Sequence, residues 1–162
     1  MVDAEVLFTA HRDGLFRYLC RIVGQEDARE LTQEVFLRVA RTEVPQIDDG
    51  GRRAWLFRIA RNLALNHVRD DRRKGTKVDA AHDGSAPPTQ ALAAVLREAL
   101  SSLNPVDRDV FLMREVSGLS YDEIAFACQL TVDAVRSRLH RGRQQLRTAL
   151  AGSDGYRDGS WR

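Results

Sequence analysis

Apolar residues recur at intervals of three and four along most of the chain, which predicts amphipathic helices. The three clearest helices cover about residues 27–41, 53–73 and 132–150. No segment alternates apolar and polar residues strongly enough to indicate a strand. The pattern therefore predicts an all-α fold. The side chains that we expect to face the interior are Ala28, Leu31, Val35, Phe36, Val39, Leu56, Phe57, Ile59, Leu63, Ala64, Val68, Val132, Val135, Leu139, Leu146 and Leu150.

The helical pattern stops between residues 75 and 90, where few large apolar residues occur and where Pro87 and Pro88 interrupt any helix. This segment indicates a flexible linker between two small helical domains, residues 1–74 and 91–151. Residues 152–162 are rich in glycine and polar side chains and are expected to form a flexible tail. The sequence indicates no particular role for Trp161, which lies within that tail.

A helix-turn-helix is predicted in the second domain. Ser120 and Glu123 have the spacing of a capping box, which begins a helix just ahead of an apolar pair. Gly118 ends the preceding helix. The new helix reaches only to about Cys128 before a turn, and Thr131 can cap the helix that follows. Two helices that meet at a tight turn, the second of them basic, are typical of major-groove readers.

The outer face of that second helix carries side chains that can hydrogen-bond base edges or neutralise phosphates. A simple alternative remains open, in which the basic residues only form a solvated face. A membrane-surface or calmodulin-type helix is disfavoured because bulky exposed apolar residues are missing. The face and its flanks comprise Asp133, Ala134, Arg136, Ser137, Arg138, His140, Arg141, Arg143, Gln144 and Arg147.

The helix predicted over residues 53–73 carries one polar stripe, with Trp55 at its start. The stripe residues recur at intervals of four, four, three and four and are Arg58, Asn62, Asn66, Arg69 and Arg73. Guanidinium, amide and indole groups together can contact a separated nucleic-acid strand. Ordinary surface arginines beside a core tryptophan remain the alternative.

Leu37 is predicted to lie on the polar side of the helix over residues 27–41. Its neighbours on that side are Glu30, Gln33, Glu34 and Arg41. A protein partner would explain an apolar side chain in this position, and a single exposed leucine is the alternative.

The net charge of +2 hides two acidic-then-basic units. Residues 1–50 hold 6 basic and 10 acidic side chains, and residues 51–77 hold 9 and 2. Residues 78–130 hold 3 and 8, and residues 131–162 hold 7 and 3. This distribution indicates two modules that bind polyanions.

Other chemistry is weakly indicated. Cys20 and Cys128 lack metal-ligand spacing and are expected to be buried, reduced thiols. The four histidines are scattered, so we expect no metal, no cofactor, no small-molecule substrate and no enzymatic activity. No apolar run is long enough to span a bilayer, and residues 1–5 lack the basic start that precedes the apolar core of a secretion signal. A cytoplasmic location without membrane insertion is therefore expected.

Four segments resemble the signature segments of extracytoplasmic-function sigma factors, the small promoter-specificity subunits of bacterial RNA polymerase. They cover residues 30–37 (ELTQEVFL), 55–62 (WLFRIARN), 118–125 (GLSYDEIA) and 135–141 (VRSRLHR). Their order is that of the family, and the resemblance extends over nearly the whole chain outside the linker and tail.

The resemblance implies a role for three of the four segments. The first would bind the β′ clamp helices of core polymerase through Glu30, Gln33, Glu34 and Leu37. The second would open the −10 element, with a flipped base at Asn62 and the separated strand supported by Trp55, Arg58, Asn66 and Arg69. The fourth would read the −35 duplex through Arg136, Ser137, Arg138, His140 and Arg141.

Further partners implied by the resemblance are the polymerase β flap, promoter DNA and an anti-sigma factor, since no appended sensor domain is evident. Two positions depart from the family pattern: Asp133-Ala134 replaces the usual Gly-Thr, and Gln129 replaces a frequent glycine in the turn. Asp133 suits a helix N-terminus but repels phosphate, so the −35 sequence stays open. An ordinary helix-turn-helix regulator is the rival function.

Overall fold

The computed structural model describes residues 3–75 and 90–152, with side chains described for 3–75 and 94–152. All regular structure in these ranges is helical, which confirms the all-α prediction. The predicted linker and tail, including Trp161, lie outside the described residues except at their edges. The helices are α1 Ala4–Val23, α2 Gln25–Arg41, α3 Asp49–Arg73, α4 Gln90–Ser102, α5 Pro105–Glu115, α6 Tyr121–Cys128 and α7 Val132–Ala151.

Helices α1 to α3 form the N-terminal group. Gly24 both ends α1 and begins α2, with a φ of 89° that residues with a Cβ rarely adopt. The buried face of α2 matches the prediction except at one position, because Leu31 is only partly buried and Thr32 is buried instead. The Thr32 hydroxyl donates to the Ala28 carbonyl at 2.7 Å, so its burial leaves no unpaired donor. Helix α3 begins four residues earlier than predicted, after the N-cap Asp48.

The predicted core of α3 is also confirmed in part. Leu56, Phe57, Leu63 and Ala64 are buried, whereas Ile59 and Val68 are only partly buried at its edge.

Helices α4 to α7 form the C-terminal group, which contains the predicted helix-turn-helix. The capping box is present, with the Ser120 hydroxyl accepting from the Glu123 amide and the Glu123 carboxylate accepting from the Ser120 amide. Thr131 caps α7 by accepting from the Ala134 amide at 3.1 Å. The buried residues of α7 are Val135, Leu139, Gly142 and Leu146, while Val132 and Leu150 are partly buried.

The two groups pack against each other, chiefly through α3 and α6, with α5 also approaching α1. Asp109 of α5 accepts hydrogen bonds from Tyr18 of α1 at 3.1 Å and from Arg61 of α3 at 2.9 Å. The Ser117 hydroxyl donates to the Gly14 carbonyl at 2.9 Å. This arrangement brings one face of α3 under the first helix of the helix-turn-helix.

Gln129, in the turn between α6 and α7, adopts a left-handed backbone with a φ of 57°. A side chain in this region costs about 1–2 kcal/mol, and glycine removes that strain but adds freedom to the unfolded chain. We therefore expect Gln129→Gly to raise the free energy of unfolding by about 0.5–1 kcal/mol. Urea denaturation monitored by circular dichroism measures the change.

The matched control is Gln144→Gly, at an exposed position inside α7. That substitution should lower the free energy of unfolding by about 1 kcal/mol, since glycine disfavours a helix interior. A loss of stability with Gln129→Gly would contradict the assignment of strain to the turn.

Candidate functional site

The predicted −35 surface lies on the solvent side of α7. Arg136, Ser137, His140 and Arg141 are exposed, and Arg138 is half-buried. Because α7 buries its apolar side against the other helices of its group, these side chains project on the opposite side and its edges. The structure thus brings together all five residues predicted for duplex reading, on an accessible helix of a helix-turn-helix.

Arg138 and Arg141 share a carboxylate that the sequence interpretation did not single out. Asp107, in the first turn of α5, is buried, and its Oδ1 accepts from Arg138 Nη1 at 2.8 Å. Its Oδ2 accepts from Arg141 Nε at 3.0 Å. In the sequence, Asp107 resembles any acidic residue that favours a helix N-terminus, and no local signal indicates its partners.

Two other arginines of α7 have neighbours nearer the surface. Arg136 Nη1 lies 3.5 Å from Asp133 Oδ1, and the guanidinium carbon of Arg136 lies 5.8 Å from the ring centre of Tyr121. The Arg143 Nε donates to Glu115 of α5 at 3.0 Å. The predicted repulsion between Asp133 and phosphate is therefore balanced locally by an adjacent guanidinium on the same face.

The predicted polar stripe of α3 is partly accessible. Asn62, Asn66 and Arg69 are exposed, whereas Arg58 and Trp55 are half-buried. Trp55 packs against the hydrophobic core, so the indole is anchored at one edge of the stripe. The exposed amides and the Arg69 guanidinium are free of the core and can meet a ligand from solvent.

The N-terminal part of α3 is covered by α6. The guanidinium of Arg58 lies 5.4 Å from the ring centre of Phe126, and Arg53 forms a two-point ion pair with Glu123. Burial pushes the pKa of Glu123 upward, but hydrogen bonds from Arg53 and from the Ser120 backbone hold it below its ordinary value. One carboxylate thus serves both the α6 cap and the contact between the two helical groups. The sequence signal identified only the cap.

A buried polar cluster reinforces this contact. Burial raises the pKa of Asp109 above its ordinary value, although the Arg61 guanidinium acts in the opposite direction. Burial, and secondly the nearby Asp109 carboxylate, raises the pKa of Tyr18 well above its ordinary value, so the phenol stays protonated and donates. Arg53 and Arg61 lie outside the polar stripe, and their pairing across the groups was not predicted.

The residues predicted to bind polymerase lie together on α2. Glu30, Gln33 and Leu37 are exposed and Glu34 is half-buried, with its carboxylate accepting from Arg38 at 3.1 Å. Leu37 is 50% exposed, which confirms that a large apolar side chain lies among polar ones on this face. The spacing of three and four residues places all four on one side of the helix.

A histidine–carboxylate cluster joins α2 and α3. His67 Nε2 lies 3.0 Å from Asp27 and 3.2 Å from Asp71, and the three ligand atoms lie within 4.8 Å of one another. The histidines looked scattered in the sequence because Asp27 is 40 residues from His67. The cluster fits the ligand types of a divalent metal site and equally fits an interhelical hydrogen-bonded bridge.

Both cysteines are buried and neither forms a disulfide, as predicted. Burial raises the pKa of Cys128 to about 12, and its Sγ lies 3.7 Å from the sulfur of Met113. A thiol with so high a pKa is a poor nucleophile near neutral pH. Among the described residues, none of the helices is both long and apolar enough to cross a membrane.

Comparison with protein families finds two matches that together extend over most of the chain. Residues 7–74 match the family described as Sigma-70 region 2, and residues 93–146 match Sigma-70, region 4. The first match contains the polar stripe of α3 and the four α2 residues. The second contains the helix-turn-helix.

Individual proteins give the same result. The chain is 39% identical to the ECF RNA polymerase sigma factor SigE of Mycolicibacterium smegmatis, over 93% of this chain and 63% of SigE. It is 33% identical to the RNA polymerase sigma factor CarQ of Myxococcus xanthus, over 90% of this chain and 88% of CarQ. The fold is similar to that of the sigma factor RpoE solved with the anti-sigma factor NepR from Bartonella quintana. That similarity has a TM-score of 0.73 and 20% identity, over 92% of this chain and 97% of RpoE.

Glu123→Gln should loosen α6 from α3 while keeping the α6 cap, because glutamine also completes a capping box. Loss of a hydrogen-bonded charge pair is expected to weaken the contact by about 1–3 kcal/mol. Hydrogen–deuterium exchange should then be faster at the α3–α6 contact, and small-angle scattering should give a larger radius of gyration.

The matched control is Glu34→Gln, which removes an exposed ion pair within α2. Because the pKa of Glu123 is lowered in the folded chain, the stabilisation of the fold by its ion pair is complete above the ordinary carboxyl pKa of about 4.5. This stabilisation is lost as the pH falls through the lower pKa that Glu123 has in the folded chain.

Wild-type and E123Q chains with equal hydrogen–deuterium exchange and equal radius of gyration at pH 7 would contradict a stabilising role for the Arg53–Glu123 pair.

Proposed function

Because the chain belongs to the extracytoplasmic-function family of RNA polymerase sigma factors, we propose that it binds core RNA polymerase and directs promoter-specific transcription initiation. In this proposal residues 1–74 act as region 2 and residues 91–151 as region 4. The observation that carries the proposal is the pair of polar, arginine-bearing helix faces on α3 and α7, one in each group. The chain spans 63% of the length of SigE, so the proposal concerns the two regions present here.

Region 4 docks on the −35 element as a duplex. The exposed side of α7 carries donors suited to base edges and phosphates, namely Arg136, Ser137, Arg138, His140 and Arg141. The N-terminal half of a recognition helix enters the major groove in this class of motif, and these residues lie in the second and third turns of α7. Arginine forks suit guanine edges and phosphates, and Ser137 and His140 add shorter hydrogen-bonding groups.

Region 2 opens the −10 element. Unstacking a base costs a few kcal/mol, which a pocket offsets only when the correct base makes its hydrogen bonds. The exposed Asn62 supplies an amide that can both donate and accept, and it serves here as the flipped-base contact. Trp55, Arg58, Asn66 and Arg69 support the separated strand through stacking and phosphate contacts.

The polymerase contact is made by α2. The β′ clamp helices bind the face formed by Glu30, Gln33, Glu34 and Leu37, and region 4 meets the β flap. A leucine that is half exposed among polar residues gains apolar burial only when a partner covers it. This energetic gain supports assigning Leu37 to an interface.

Opening of the free chain precedes promoter melting. Because α6 packs over the N-terminal part of α3, where Arg58 lies against the Phe126 ring, α6 moves away from α3 in this proposal when polymerase and promoter bind. A partner that favours the packed arrangement would hold the sigma factor inactive. We propose an anti-sigma factor in this role, in line with the NepR complex of the similarly folded RpoE.

Reconstituted transcription tests the function directly. Core RNA polymerase plus the purified chain should initiate from discrete sites on fragmented genomic DNA, and mapping those sites gives the −35 and −10 sequences. Core polymerase alone should not. DNA binding by the chain without any polymerase-dependent initiation would instead support the rival function, an ordinary helix-turn-helix regulator.

Leu37→Asp should weaken binding to core polymerase at least tenfold, because a charge replaces an apolar contact at the interface. Fluorescence titration with core polymerase measures the affinity, and circular dichroism checks the fold. The control is Val6→Asp, at an exposed apolar residue of α1 outside the proposed interface. Equal affinities for both variants would reject the assignment.

Asn62→Ala should impair strand opening more than polymerase binding, since the amide acts after docking. We expect open-complex formation to fall at least tenfold, in proportion to the lost pocket hydrogen bonds. A 2-aminopurine probe in the −10 element reports opening, and a separate titration reports core binding. A parallel loss of both quantities would show that Asn62 is needed for folding or docking instead.

A further inference from the structure

The arginines on the duplex-reading side of α7 differ in how firmly they are held. Arg136 is largely exposed, and its guanidinium lies near the exposed Asp133 and the partly buried ring of Tyr121. Arg138 and Arg141 instead converge on one carboxylate, that of Asp107, whose side chain is 3% exposed. This convergence of two predicted DNA contacts on one buried group has no counterpart elsewhere along the described part of α7.

The position of the Asp107 carboxylate is restricted by the helices packed around it. It belongs to the first turn of α5, which begins at Pro105 after the N-cap Asn104. Gly142 of α7 is buried beside the same turn, where an added Cβ would lie 3.8 Å from the Asp107 carbonyl oxygen. Two helices packed this closely give the Asp107 carboxylate little freedom relative to the α7 backbone.

Both guanidiniums keep donors available after pairing. Arg138 uses Nη1, while Arg141 uses Nε and, at a longer 3.5 Å, Nη2. Since a guanidinium has five N–H donors, each arginine retains several for DNA. Arg141 remains exposed, so its free edge can reach a ligand. The carboxylate therefore orients the two side chains without consuming them.

We propose that Asp107 is a positioning residue that determines −35 specificity by holding Arg138 and Arg141 in fixed orientations before DNA arrives. An arginine without such a partner rotates about several bonds and binds any phosphate within reach. A fixed fork matches one base edge or one phosphate and loses less conformational freedom on binding. Asp107 also cancels one of the two positive charges, which lowers the affinity for arbitrary sequences.

This inference rests on the proposed function, and its test uses the promoter found by start-site mapping with the wild-type chain. Holoenzyme binding is measured to that promoter and to the same duplex with a shuffled −35 element, over a range of salt concentrations. Asp107→Asn keeps the size of the side chain but removes its charge. We expect the affinity ratio between the two duplexes to fall at least tenfold, and the salt dependence on the shuffled duplex to steepen by about one phosphate contact.

Two results would overturn the inference. An unchanged ratio would show that the arginines find their positions unaided. An equal loss of affinity for both duplexes would show that Asp107 only stabilises the domain. The matched control is Glu115→Gln, which frees the surface arginine Arg143 and should leave the ratio within twofold.

A second variant covers the case in which D107N does not fold. Asp107→Glu retains the charge but displaces it by one methylene group, so the arginines stay paired in altered positions. It should change the preferred −35 sequence without steepening the salt dependence, and a wild-type preference would overturn the proposal. If the wild-type holoenzyme directs no initiation, the proposed function fails. If it does initiate, but the Asp107 variants have the wild-type affinity ratio and −35 preference, only this inference is rejected.

Discussion

A buried carboxylate, Asp109, joins the two halves of the protein. Its side chain is 4% exposed and accepts hydrogen bonds from Tyr18 on α1 and Arg61 on α3. Removing a carboxylate from water costs several kcal/mol unless close partners compensate. Both donors come from the other helical group. Packing of the two groups therefore removes the Asp109 carboxylate from water and at the same time supplies the hydrogen bonds that compensate for its burial. The interface is therefore specific in geometry and depends on a few charged residues.

This packing divides the polar side chains of α3 between two tasks. Arg53 and Arg61 are paired with carboxylates of the C-terminal group, while Asn62, Asn66 and Arg69 face solvent. Arg58 belongs to neither set, because it is half-buried and lies against the exposed ring of Phe126. In the proposed function, α3 binds both its own chain and a DNA strand, so that promoter opening is linked to separation of the two groups. Under that proposal, the packed interface is a surface on which a regulator acts.

Helix α5 connects this interface to the surface of α7 that is proposed to read duplex DNA. Asp107 and Asp109 are two residues apart, so their side chains point to nearly opposite sides of the helix, about 160° apart around its axis. Asp107 pairs with arginines of α7, and Asp109 pairs with residues of α1 and α3. In the sequence these two aspartates look like equivalent surface charges, yet both are buried and each serves a different contact.

The amino-acid sequence by itself was sufficient to predict helices α2, α3, α6 and α7, the caps of α6 and α7, and the polar faces of α2, α3 and α7. These features depend on residues within about four positions of each other, as in the Ser120–Glu123 capping box and the isolation of Leu37 among polar neighbours. The family segments, likewise local, were sufficient to indicate region 2 and region 4. The exposure of most of the candidate DNA-binding and polymerase-binding side chains could therefore be predicted.

Only the tertiary structure decided which charges pair across long separations. Glu123 meets Arg53 from 70 positions away, Asp107 meets Arg138 from 31, and His67 meets Asp27 from 40. The spacing of residues along the chain does not show which of these distant charges pair. The free energy that favours each pair arises only when packing removes water from both groups at once. The sequence thus determined which faces are charged, and the packing of distant helices decided which of those charges remain available for a ligand.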